Sequence, residues 1–122
     1  MLPTADSFVA RLRFLTHEEG GRKRPPRNPA VAQLVLPHAQ LSCHVVAIDE
    51  QGRPLDLAEF LPGGSFLARV VVEHAVHYAR ELGELDHHFE LAEGPKCVAL
   101  GTLAHGGDLE VTPEPIERLI RP

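Results

Sequence analysis

The chain has 122 residues, a formal net charge of −5, 43% hydrophobic and 24% charged residues, which suits one globular domain with room for a real core and little space for a second. No apolar run is long enough to cross a bilayer as a helix, and Pro3, Asp6 and Arg11 break the basic-then-apolar pattern of a signal peptide. A cytoplasmic protein without membrane contact is expected, and its 11 prolines and 10 glycines predict short elements joined by many turns rather than long helices.

The first element is announced by alternation: Phe8, Ala10, Leu12 and Phe14 fall on one face, and Val9, Arg11, Arg13 and Leu15 on the other. That is the period of a half-buried strand. It runs into His17-Glu18-Glu19-Gly20-Gly21-Arg22, a charged turn whose glycines reach backbone conformations that a Cβ resists. Residues 22–29 follow with three prolines among four basic side chains, so an extended, exposed and mobile loop is expected. Residues 11–27 hold six basic side chains against Glu18 and Glu19, leaving the remainder strongly acidic. Such a segment can touch a phosphate backbone locally while the rest of the field opposes it.

Residues 30–36 read as a short strand stopped by Pro37, and residues 41–48 as another, followed by a turn in which Gly52 supplies positive φ. Residues 55–61 fit a strand or a helical turn, ended by Pro62-Gly63-Gly64. From Phe66 alternation resumes, with Phe66, Ala68, Val70 and Val72 on one face. Val76, Ala79 and Leu82 then recur at helical spacing before Gly83, predicting a short helix over 75–83 with glycine as its C-terminal cap. Residues 89–91 and 97–103 read as two strands joined by Glu93-Gly94-Pro95-Lys96 at hairpin length. Thr112 and Pro113 predict a helical turn in the tail. The sum is an all-β fold of six short strands, a small sandwich or a closed barrel, and closure removes free edges.

Catalytic constellations are weak. Eight histidines invite a metal-dependent enzyme, and His74 and His77 would share a helix face. His87 and His88, however, would diverge on a strand, and no Cys or carboxylate is spaced to complete a tetrahedral set; no metal is predicted. Ser42-Cys43-His44 places a nucleophile beside a base, but strand neighbours point apart. Glu18 and Glu19 lack the burial that raises a carboxyl pKa, so a salt bridge to Arg13 or Arg22 is the expected role. Cys43 and Cys97, both in apolar runs, read as reduced core thiols, with a cross-strand disulfide as the alternative. No P-loop is present, so nucleotide hydrolysis is not expected.

Three separated motifs resemble one family, the C-terminal β-barrel (third) domain of elongation factor Tu. Leu12-Arg13-Phe14-Leu15-Thr16-His17-Glu18-Glu19-Gly20-Gly21-Arg22 is similar to that domain's first strand and Glu-Glu-Gly-Gly-Arg loop. Leu61-Pro62-Gly63-Gly64 looks like its Pro-Gly-Asp turn, with Gly64 in place of Asp, and residues 89–101 look like its final hairpin, with Gly94-Pro95-Lys96 for Gly-Gly-Arg. Residues 30–41 replace the family's Gly-Tyr-Arg-Pro-Gln-Phe segment, and residues 74–87 read as an insertion. The resemblance covers residues 7–104 of a single domain spanning 1–122, with 105–122 as a tail.

It implies a small closed six-stranded antiparallel Greek-key barrel. In that family the barrel packs on a second barrel and a GTPase domain, and contacts the T stem of aminoacyl-tRNA and the nucleotide-exchange factor. Carried over, the binding positions are Glu18, Glu19, Gly20, Gly21, Arg22, Lys23, Glu93 and Gly94. Arg13, Arg24, Arg27 and Lys96 are the candidate phosphate contacts. The expectation is a non-catalytic interaction module without cofactor or GTPase domain, binding another protein or itself; tRNA or other RNA is the second candidate partner.

Overall fold

A computed structural model describes residues 7–104. It contains β1 (Ser7–Phe14), β2 (Ala30–Leu36), β3 (Ala39–Ala47), β4 (Ser65–Val72), a one-turn helix α1 (Ala79–Leu82), β5 (His88–Glu93) and β6 (Lys96–Leu103). The six strands close into a barrel in the order β1-β4-β3-β2-β5-β6, with β6 returning to β1 and every neighbouring pair antiparallel. Strands β2, β3 and β4 follow one another as neighbours, while the long connection 15–29 lets β1 lie beside β4, which is the Greek-key arrangement. The all-β, closed, six-stranded antiparallel barrel expected from the sequence is the architecture the chain adopts.

Alternation sets the inside. Phe8, Ala10, Leu12 and Phe14 of β1, Leu41, Cys43, Val45 and Ala47 of β3, and Ala68, Val70 and Val72 of β4 are buried, as a period of two requires. A six-stranded barrel leaves little interior volume, so small residues alternate with large ones. Gly101 shows the constraint: a Cβ there would lie 2.4 Å from Cζ of Phe89 and 2.8 Å from Cδ2 of Leu12. Between Leu91 and Ala92 the β5–β6 register shifts, their partners being Ala99 and Cys97, so Val98 is the extra residue of a bulge on β6. Cys97 departs from the expected core thiol, since it lies half-buried while Val98 and Ala99 are buried. Both cysteines are free thiols.

Strand direction sorts the connections into two ends. Residues 15–29, 48–64 and 94–95 leave from one end, and residues 37–38 and 73–87 from the other. At the second end the helix is shorter than the expected 75–83: residues 73–78 are turns, His74 has φ of +57°, and only Ala79–Leu82 are helical. Gly83 occupies the cap position with φ of −65°, so it does not supply a left-handed cap. Its N–H is instead taken up by the carbonyls of Ala79 and Arg80. The helical turn expected over 112–120 lies outside the described residues. Among the described residues no helix is long and apolar enough to cross a membrane.

Candidate interaction face at the loop end

The Glu-Glu-Gly-Gly-Arg loop is built by local hydrogen bonds. Thr16 and Glu19 form a reciprocal capping box around a 3-10 turn, His17–Glu19. Oε1 of Glu19 accepts from the Thr16 backbone N–H at 2.9 Å and from Nη1 of Arg13 at 2.9 Å. The hydrogen bond from Arg13, followed by that from Thr16, pulls the Glu19 carboxyl down to about 2. The glycines serve different needs: Gly20 sits at φ of +100°, while a Cβ on Gly21 would lie 2.3 Å from the carbonyl oxygen of Leu15. Glu18 is exposed.

The salt bridges expected for the loop involve both arginines and two different carboxylates. Arg13 binds Glu19, and Nη1 of Arg22 reaches Oε2 of Glu93 at 3.2 Å, joining the first loop to the last hairpin. In that hairpin Gly94 turns at φ of +63°. Its N–H donates to Oε1 of Gln33 at 3.2 Å, and its carbonyl accepts from Nε2 of Gln40 at 3.1 Å. Of the twelve sequence-predicted site residues, the fold therefore brings Glu18 through Arg22 together with Glu93 and Gly94 at one end of the barrel.

A second connection corrects the reading of residues 22–29 as a mobile loop. Pro26 is buried and its carbonyl accepts from the Phe60 N–H at 2.8 Å. The Asn28 N–H donates to Ala58 O, its Nδ2 to Leu57 O at 2.7 Å, and its Oδ1 accepts from the buried Ala47 N–H at 3.1 Å. Residues 26–28 and 57–60 thus run side by side, with Arg27 opposite Glu59. Beneath them Phe60 is fully buried, its ring 4.7 Å from Phe66 and 5.0 Å from Phe14. Gly63, at φ of +85°, donates to Phe14 O at 2.8 Å and closes the third loop onto β1. Residues 55–61, which fitted a strand or a helical turn, are irregular because Phe60 is drawn inward while its neighbours bridge to other loops.

What this framework exposes is mixed in character. Lys23, Arg24, Arg27 and Lys96 are exposed and, among the described residues, make no ion pair. Residues 53–59 are all exposed, and Leu55 and Leu57 among them, with neighbouring Leu61 at 73%, are large apolar side chains facing water. Sequence reasoning missed Asn28 and Phe60, whose partners come from distant loops; an Asn before Pro in a charged loop was the available signal.

The other candidate chemistries are dispersed. Cys43 points into the barrel, where burial and then the charge of Glu73 push its thiol up to about 12. His44 points outward, with Nε2 2.8 Å from Oε2 of Glu73. His74 lies outside α1, so the expected helical His74–His77 pair does not form. His87 and His88 have ring centroids 4.8 Å apart, and His88 Nδ1 lies 3.2 Å from the Thr102 hydroxyl. Among the described residues no group of three or more His, Cys, Asp or Glu side chains is placed to hold a metal ion. No protein-family model matches the chain, and no curated protein matches it.

Proposed function

We propose that the protein is a non-catalytic interaction module, a barrel resembling the third domain of elongation factor Tu without its GTPase, which meets another protein or a second copy of itself through the loop end. One observation carries this reading. The motifs similar to the family's Glu-Glu-Gly-Gly-Arg loop, Pro-Gly-Asp turn and final hairpin lie at the same end and are tied together by Arg22–Glu93 and by Gly63 to Phe14. A hydrogen-bonded backbone there holds Leu55, Leu57 and Leu61 in solvent, a preorganised apolar surface of the kind that proteins bind.

RNA binding is the second reading, supported by exposed Lys23, Arg24, Arg27 and Lys96, which make no ion pair among the described residues. It lacks the interleaved aromatics that stack bases, and exposed Glu50, Asp56 and Glu59 share the surface. A photo-crosslinking residue placed at Leu57, and separately at Val76 on the opposite end, tests the proposal in cells. Protein adducts from position 57 and none from position 76 are expected. Adducts from position 76 alone, or RNA alone from position 57, would contradict it.

A further inference from the structure

The loop end carries two kinds of charge without an ion-pair partner among the described residues, and they lie on different segments. Lys23, Arg24 and Arg27 lie on one segment; Glu50, Asp56 and Glu59 lie on the other. All six are exposed, and none forms an ion pair among the described residues. Of the remaining charges at this end, Arg53 pairs with Asp49, Arg22 with Glu93 and Arg13 with Glu19, while exposed Glu18 and Lys96 make no ion pair among the described residues. Asn28, Arg27 and Pro26 hold the basic segment directly against Leu57, Glu59 and Phe60 of the acidic one. The basic and acidic segments thus meet at Arg27 and Glu59, with Leu55, Leu57 and Leu61 exposed on the acidic segment.

We infer that this face is self-complementary and that its occupant is a second copy of the chain, an inference that rests on the interaction reading above. A two-fold axis through the face turns one copy's basic segment over the other's acidic segment, and brings the leucines of the two copies together. A phosphate backbone or a uniformly acidic protein satisfies Lys23, Arg24 and Arg27 but is repelled by Glu50, Asp56 and Glu59; a uniformly basic partner meets the reverse conflict. A second copy satisfies both sets at once. The backbone under the face is already fixed by Asn28 and Phe60, so little ordering opposes association.

The test is sedimentation equilibrium on the full chain and two charge reversals. One carries Lys23→Glu, Arg24→Glu and Arg27→Glu; the other carries Glu50→Lys, Asp56→Lys and Glu59→Lys. All six positions are exposed, and circular dichroism of each variant checks that the barrel is retained. The unaltered protein should dimerise, each reversal alone should weaken dimerisation about 100-fold through like-charge contact, and an equal mixture of the two should regain it as a heterodimer. Recovery on mixing identifies pairing between copies, since neither variant can repair itself. A protein monomeric up to about 1 mM, the weakest association worth scoring, or a dimer indifferent to both reversals, overturns the inference. A monomer whose position 57 still cross-links to a different protein overturns self-association alone; a monomer without any adduct from position 57 removes the interaction face as well.

Discussion

At the loop end Phe60 is fully buried between Phe14 and Phe66, and residues 26–28 are hydrogen-bonded to residues 57–60. At the opposite end Ala75 is the one buried apolar residue of the 73–87 connection, and Tyr78, Leu82 and Leu85 pack only half-buried around the four-residue α1. The contrast extends to the surface. Exposed leucines at the first end sit on backbone hydrogen-bonded to residues 26–28, Ala47 and Phe14, whereas exposed Val76 at the second sits on turns closed by short-range hydrogen bonds. Buried contacts under exposed apolar side chains are what a binding surface needs, because binding then costs little additional order. The opposite end has the features of a region that opens at low cost: few buried contacts and local hydrogen bonding.

The largest expected difference is in stability. Phe60→Ala should cost about 3–5 kcal/mol in denaturant unfolding, the range for truncating a buried aromatic, while Leu82→Ala, removing half-exposed packing, should cost about 1 kcal/mol. Equal costs would break the comparison, since they would make the two closures equivalent.

A smaller effect comes from the capping box. Glu19 is shifted from an ordinary 4.5 to about 2 by Arg13 and Thr16. A carboxyl depressed on folding contributes stability that is present above the unfolded value and is lost as pH falls through the folded one. Acid titration of the melting temperature should therefore fall between about pH 4.5 and pH 2, and Glu19→Gln should flatten that part of the curve while lowering stability at neutral pH. Because Glu19 is exposed, the change is small. An unchanged acid profile in Glu19→Gln would remove the cap from the account.

Much of the barrel was legible because a period of two is a strong local signal. Phe8 to Phe14, residues 30–36 and Phe66 to Val72 all fell on the faces their alternation implies. The glycine turns at Gly52, Gly63 and Gly94 were also readable, since each has positive φ. The failures share a cause. Residues 22–29 looked mobile because prolines and like charges dominate them locally, yet Asn28 finds partners 19 and 29 residues away. Residues 55–61 looked ambiguous because their structure is set by where Phe60 inserts rather than by their own period. Cys97 looked like a core residue because its run is apolar, yet it lies half-buried beside the bulged Val98. Within the candidate site the two loops were identified from their residues, but the pairing of Arg22 with Glu93 depends on barrel closure that no local pattern encodes.

Hydrogen exchange measured on the full chain at dilute and at concentrated protein tests the central claim most directly, because it reports which end is covered when copies can meet. The account predicts slower exchange in residues 22–28 and 53–61 at high concentration, with residues 73–87 unchanged. Slowing confined to residues 73–87, or no concentration dependence anywhere, would contradict it.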